Sequence, residues 1–191
     1  MRRLSWIVIV LVLVLIPGTF IRPNPAVAAS AEELNREVVT ALEALYDKSP
    51  TAKALGEKSK GILVFPGIVK AGFLIGGQYG EGALVTKGSK PNSYKVAGYY
   101  STVQVSYGLQ AGIQKYGYAL FLMTDSAVKW LDKSDGWELG VGPTIVVVDS
   151  GAARSMTTTT LQAEIYAFFF DQKGLMGGLG LQGTKVTRIK K

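Results

Sequence analysis

The stretch KAGFLIGGQYGEGALV, residues 70–85, sets five glycines among residues that favour β-strands. A phosphate-binding loop of the Walker type needs a Gly-Lys-Ser/Thr sequence, and residues 76–82 contain no lysine. A dinucleotide-binding loop must open a helix, whereas ALVT at 83–86 is typical of a strand. Glycine inside a strand commonly marks a bulge, a bend or the close approach of another backbone. The stretch therefore predicts a bent strand, with structural roles for Gly72, Gly76, Gly77, Gly80 and Gly82.

Two later stretches repeat this mixture of glycine with aromatic and apolar residues, SYGLQAGIQKYGY at 106–118 and GLMGGLGLQG at 174–183. Several glycine-containing strands in one small antiparallel sheet indicate strong curvature. From Gly61 onward, β-branched and aromatic residues predict strands near 61–66, 68–77, 79–87, 94–101, 102–115, 117–123, 136–141, 143–149, 161–170 and 174–189.

The residues before Gly61 have a helical pattern. Ser30 and Glu33 have the spacing of a capping box, and apolar residues then recur every three or four positions, which predicts a helix over about 31–46. Ser49 and Pro50 are typical of the start of a second, short helix. The predicted fold class is α+β, with N-terminal helices packed on a strongly curved, mainly antiparallel β-sheet or incomplete barrel.

The N-terminus has the pattern of an export signal. Arg2 and Arg3 precede an uncharged apolar run over residues 4–16, and Ala26-Val27-Ala28 has the small residues that a signal peptidase requires. We expect a signal peptide at 1–28, cleavage near Ala28, a single domain over 29–191, and a periplasmic or secreted product. A retained membrane anchor is the alternative. The chain has no cysteine, so its stability must come from an apolar core without disulfides.

Charge is distributed unevenly along the chain, whose net charge is +7. Residues 29–47 hold five acids and one base, whereas residues 48–191 hold 17 bases and 9 acids. A basic body favours an anionic partner, and outside the cytoplasm this is a phospholipid headgroup or membrane surface rather than a nucleic acid. The candidate lipid-binding residues are Lys58, Lys60, Lys70, Lys185, Arg188, Lys190 and Lys191.

Catalysis is not predicted. The chain has no histidine and no cysteine, which are the usual general base, thiol nucleophile and transition-metal ligands. We therefore expect no enzyme, no catalytic residue, no bound metal and no cofactor. A second hypothesis is a periplasmic carrier or structural protein that holds an apolar ligand inside the curved sheet, lined by YALFLM at 118–123 and YAFFF at 166–170. Both runs are also typical of strands buried in an ordinary core.

Three stretches in this order resemble the SYLF domain family: KGILVFPGIVKAGFLIGGQYGEGALV at 60–85, GYYSTVQVSYGLQAGIQKYGYALFLM at 98–123 and KGLMGGLGLQGTKVTRI at 173–189. The resemblance covers about residues 31–189. It implies a lipid-binding module without enzymatic activity, with phosphoinositide recognition and actin association in the eukaryotic members.

The chain departs from the family pattern in its N-terminal helix. Eukaryotic members have an amphipathic N-terminal segment that contacts membrane, but the corresponding helix here is acidic and should be repelled by an anionic surface. The expected export also removes the protein from the cytoskeleton. We therefore carry over the binding of anionic lipid and not a specific ligand.

Overall fold

The computed structural model of the chain describes residues 30–90, 93–132, 137–139, 141–148, 162–174, 181 and 183–191. The expected signal peptide, its cleavage site and most of the glycine stretch at 174–183 lie outside the described residues.

Two helices precede the sheet, α1 (Ala31–Lys48) and α2 (Pro50–Lys58). The Ser30 side chain accepts a hydrogen bond from the Glu33 backbone N–H at 3.1 Å, so it caps α1 as the sequence predicts. Ser49 caps α2 in the same way, by accepting from the Ala52 N–H at 3.1 Å. The apolar stripe of α1 is buried, at Leu34, Val38, Leu42 and Leu45.

Two long strands make a hairpin that dominates the sheet, β1 (Gly61–Lys87) and β2 (Tyr94–Leu122). The remaining described elements are α3 (Asp125–Asp132), β3 (Trp137–Glu138), β4 (Ile145–Val148), β5 (Ile165–Gly174) and β6 (Lys185–Ile189). The strand order is β3-β6-β2-β5-β4, and β1 pairs with the opposite edge of β2. The β4–β5 pair is parallel and the other described pairs are antiparallel. The predicted α+β class with a curved, mainly antiparallel, unclosed sheet is confirmed.

The sequence divided β1 and β2 into three strands each, whereas both run continuously through bulges and one bend. Between the pairs Phe73–Ala111 and Ile75–Tyr107, β1 contributes residue 74 alone and β2 contributes residues 108–110. The longer path on β2 allows the hairpin to fold back on itself. Short apolar runs separated by glycine look like separate strands in sequence, because glycine marks bends as well as ends.

The two halves of the folded hairpin pack against each other. The first half pairs residues 61–71 with 113–122 and is extended by β5 and β4, while the second pairs residues 75–87 with 94–107 and is extended by β6 and β3. We call the bend at residues 72–76 and 107–112 the tip, and the opposite end, near Gly61 and Leu122, the base.

Two glycines show why the fold-back needs them. A β-carbon at Gly72 would lie 2.7 Å from the carbonyl oxygen of Ile75, within the bend itself. A β-carbon at Gly82 would overlap the carbonyl oxygen of Val64, on the other half of the hairpin. These contacts leave no room for a side chain, so glycine allows β1 to approach its own backbone.

Near the base, both faces of the hairpin are buried in separate cores. The inner core lies between the two halves and includes Leu63, Tyr118 and Leu120. The outer core lies under α1 and α2 and includes Val64 and Phe121. The run at 118–123 alternates between the two cores, and so does the run at 166–170, which explains their continuous apolar character. Both runs pack against protein side chains.

Candidate lipid-binding surface

The polarity of the hairpin reverses between the base and the tip. On the inner face near the tip, Lys70, Gln78 and Gln114 are buried, with exposed fractions of 7%, 4% and 4%. Lys70 and Gln114 are direct cross-strand partners. The inner space that is filled by leucine and aromatic rings near the base is therefore filled by amide and ammonium groups near the tip.

Tyrosine hydroxyls connect this polar interior to the apolar inner core. Tyr116 donates a hydrogen bond to Gln78 Oε1, and Tyr118 donates to Thr102 Oγ1 at 2.8 Å. Burial raises the pKa of Tyr116 to about 12, although the hydrogen bond to Gln78 acts in the opposite direction. Burial also raises the pKa of Tyr118 far above its ordinary value. Both hydroxyls therefore stay neutral donors at physiological pH.

The outer face near the tip is apolar and open to solvent. Its large side chains are exposed by 43% or more of their area and form what we call the outer strip: Val69, Ile75, Tyr79, Val103, Val105 and Ile113. The pairs Tyr79–Val103 and Ala71–Ile113 set these side chains in rows across the two strands. The helices cover the same face near the base, at Ile62, Val64, Ala83 and Val85, but leave the outer strip uncovered.

Exposed lysines border the outer strip on both halves of the hairpin. One row across the sheet is Val69–Lys115–Lys173, and another is Tyr79–Val103–Lys185. We call Lys115, Lys173 and Lys185 the lysine rim. Lys115 lies three residues from Gly112 and Val103 lies four residues from Tyr107, so the rim is about 10–13 Å from the bend on each half.

The tip contains no acidic residue. The stretches 66–79 and 102–115 hold Lys70 and Lys115 as their charged residues, and neither holds aspartate or glutamate. Two acids lie beside the rim. Asp171 forms an ion pair with Lys48 at 3.0 Å, and Glu138 is the cross-strand neighbour of Lys185.

The seven residues expected to bind lipid do not share one surface. Lys58 and Lys60 are exposed near the base, where the backbone N–H of Lys60 donates to the Leu122 carbonyl. Lys70 was expected to touch an anion from the protein surface, but it is buried between the two halves because its position alternates onto the inner face. Lys185, Arg188 and Lys190 are exposed along β6 and just beyond it. Of the seven, Lys185 belongs to the lysine rim.

Lys191 has a structural partner. Its ammonium forms an ion pair with Glu81, and the two side chains are only 8% and 16% exposed. The Tyr79 hydroxyl donates to the same carboxylate at 2.7 Å. Burial opposes ionisation of Glu81, but the hydrogen bonds from Lys191 and Tyr79 outweigh it and lower the pKa of that carboxyl. This contact joins the end of the chain to β1.

Sequence reasoning missed Lys115 and Lys173 because they are isolated in the sequence, whereas clustered lysines attracted the prediction. Strand alternation was a usable signal for Lys115, since it shares a parity with the exposed Ile113. The pairing of Lys173 with Lys115 is a long-range contact between β5 and β2 that no local pattern indicates.

A separate pocket of about 390 Å³ lies near the base, between the helices, the start of β1 and the loop that connects β1 to β2. Tyr46, Tyr94, Ile62 and Val85 contribute ring and aliphatic surface to it. Its charged lining residues are Lys53, Glu57, Lys60, Lys87 and Lys90. Lys87 donates a hydrogen bond to the backbone carbonyl of Glu57, which ties the hairpin to α2.

Within the described ranges, no helix combines the length and the apolar character needed to cross a bilayer. The same residues include no cluster of three or more side chains suited to hold a metal ion.

The fold and its surfaces define a class of protein: an α+β domain built on a folded β-hairpin, with an apolar tip and basic surfaces. Residues 103–191 match the family model Ysc84, described as "Las17-binding protein actin regulator". The resemblance to the SYLF family read from the sequence is confirmed over these residues. The match includes most of β2 and the strands that follow it, while the motif at 60–85 precedes it. No curated protein sequence matches the chain.

Proposed function

We propose that this protein is a non-enzymatic module that binds anionic phospholipid at a membrane surface through the tip of its folded hairpin. The observation that carries the proposal is the lysine rim around an acid-free tip. The absence of histidine and cysteine from the whole chain supports a binding role over a catalytic one. The signal-like N-terminus supports action outside the cytoplasm.

The lysine rim suits weak, salt-sensitive attachment. A lysine close to an anionic membrane contributes about 1 kcal/mol, and this attraction fades within a Debye length of about 8 Å at physiological salt. Lys115 and Lys173 are direct cross-strand neighbours, so their mutual repulsion is relieved when phosphate groups lie between them. Membrane binding therefore stabilises an arrangement that costs energy in solution.

A vesicle-pelleting assay tests the proposal. The protein is purified from cells that express the full chain, its N-terminus is determined by mass spectrometry, and it is mixed with phosphatidylcholine vesicles of rising phosphatidylglycerol content. We expect binding that increases with anionic content at low salt and falls at least tenfold at high salt. Protein that stays in the supernatant at low salt would contradict the proposal.

Two triple variants locate the binding surface. Lys115→Gln, Lys173→Gln and Lys185→Gln together should weaken binding at least tenfold, since three contributions of about 1 kcal/mol are removed. In the matched control, glutamine replaces Lys53, Lys58 and Lys90, which are also exposed lysines but lie near the base. If the control loses binding and the rim variant retains it, the base is the lipid site.

The pocket near the base supports a second candidate function, the capture of a single amphiphilic anion. Its tyrosines and aliphatic side chains suit a short apolar chain, and four lysines against one glutamate suit a carboxylate or phosphate. This version of the carrier hypothesis does not use the runs at 118–123 and 166–170. Native mass spectrometry of the purified protein tests it, because a carrier should retain a ligand in a one-to-one complex, whereas a protein that appears only at its ligand-free mass would contradict this function.

A further inference from the structure

The tip has the inverse polarity of an ordinary water-soluble sheet, with polar groups inside and apolar groups outside. We propose that the outer strip enters the boundary between headgroups and acyl chains of a bilayer, so that the hairpin tip is a membrane-inserting wedge. This inference rests on the proposed function and adds to it a hydrocarbon contact that charge attraction does not require.

The polarity of the hairpin reverses between its base and its tip. A two-sided sheet in water buries its apolar face and exposes its polar face. Near the base the molecule obeys this rule, since its inner face is apolar and α1 and α2 cover its outer face. Near the tip, Gln78 and Gln114 are each 4% exposed, while Val105 and Ile113 are 59% and 66% exposed. Such an arrangement is favourable where the surroundings of the outer face are apolar.

The lysine rim lies at a similar distance from the bend on both halves of the hairpin. The lysines on both halves lie about 10–13 Å from the bend, and interfacial elements bury their apolar side about 5–10 Å into the boundary layer. Lys115 and Lys173 on one half and Lys185 on the other would therefore reach the phosphate level when the strip is inserted. A rim at unequal heights would not define such a plane.

An open strand edge limits the depth to which the tip can insert. No described strand pairs with the edge of β1 that faces away from β2, so the backbone N–H and C=O groups on that edge of the bend need water or headgroups as partners. Unpaired backbone groups are too costly for the hydrocarbon centre. The tip accordingly stops at the boundary and does not cross the bilayer.

A single fluorescent label tests insertion, because the chain has no native cysteine. Val105→Cys in the outer strip is labelled with the environment-sensitive dye NBD. The matched control is Val147→Cys on β4, an exposed valine 47% open to solvent whose cross-strand partner is Ala167 in the inner core. With anionic vesicles, the label at position 105 should shift its emission to the blue and be quenched by doxyl-labelled phospholipid, while the label at 147 should change in neither respect.

The outcomes separate insertion from surface binding. If the protein pellets with vesicles but the label at 105 keeps its emission in water, insertion is wrong and the proposed function stands. If the protein does not bind vesicles, both proposals fail. Without vesicles, a blue shift that depends on protein concentration would show that a second copy of the chain covers the outer strip. A blue shift without vesicles that disappears when residues 1–29 are removed would show that this segment covers the strip. Either result overturns insertion.

A charge substitution gives an independent readout. Val105→Asp should weaken partitioning to anionic vesicles about tenfold or more. It removes a valine that insertion would bury in the bilayer, and it adds a negative charge that the anionic lipid repels. Val147→Asp adds the same charge away from the tip and should change partitioning less than threefold. Equal losses for the two variants would mean that net charge alone governs binding. Circular dichroism and thermal unfolding establish that both variants are folded.

Discussion

Gly82 shows how one residue controls the fold-back of the hairpin, because a β-carbon there would overlap the Val64 carbonyl oxygen and lie 2.7 Å from the Phe65 ring. Gly82→Ala should therefore lower the free energy of unfolding by about 1–3 kcal/mol, the usual cost of overpacking. Denaturant titration followed by circular dichroism measures the change.

Gly77 is the matched control on the same strand. The nearest atom to a β-carbon at this position is the Gln104 carbonyl oxygen, at 3.9 Å, and the residue is exposed on the outer face. Gly77→Ala should leave the stability unchanged or raise it by about 0.4–1 kcal/mol, since alanine restricts the unfolded chain. Equal destabilisation by both substitutions would show that strand entropy, rather than close approach, explains the glycines.

At the scale of elements, the contact between Lys191 and Glu81 connects the end of the chain after β6 to β1. The folded state lowers the pKa of Glu81, so this group stabilises the protein above the pKa of an unfolded glutamate, about 4.3, and the stabilisation is lost as the pH falls through the folded value. Glu81→Gln should lower stability at pH 7 by about 1–2 kcal/mol and reduce its loss on acidification. Unfolding titrations between pH 7 and pH 3 measure both effects.

Lys191→Gln tests the partner in the same contact. The substitution keeps a polar side chain, one atom shorter than lysine, but removes the charge that holds the pKa of Glu81 down, so it should reproduce much of the Glu81→Gln effect. A wild-type pH dependence in both variants would mean that the contact has no thermodynamic weight.

At the scale of the whole molecule, the acidic helix α1 packs near the base, whereas the lysine rim borders the tip. The buried stripe of α1 packs with Ile62, Val85 and Phe121 near the base, and the helix leaves the acid-free tip uncovered. From the sequence, the acidic helix α1 is expected to be repelled by an anionic membrane. With α1 packed near the base, the tip can approach an anionic surface while α1 stays away from it. Replacing Glu33, Glu37 and Glu43 by glutamine should therefore change vesicle binding less than about threefold at physiological salt.

The vesicle-pelleting assay compares this variant with the triple variant of the lysine rim, whose vesicle binding should fall at least tenfold. A tenfold gain in binding on neutralising α1 would place the helix at the membrane. That result would contradict the orientation in which the tip meets the lipid.

The sequence by itself determined the class of the fold, the helix starts at Ser30 and Ser49, and the curvature of the sheet. Capping, periodicity and glycine in strands are local properties that short stretches record. The sequence did not predict which basic residues are exposed, because Lys70 alternates onto a buried face and Lys191 pairs with the distant carboxylate of Glu81. Only the tertiary structure decided that β1 folds back on itself, that Lys115, Lys173 and Lys185 border one tip, and that the helices cover the outer face near the base alone. These features depend on contacts between residues far apart in the chain. The bend at 72–76 brings the two halves of β1 together, and no local sequence pattern indicates that contact.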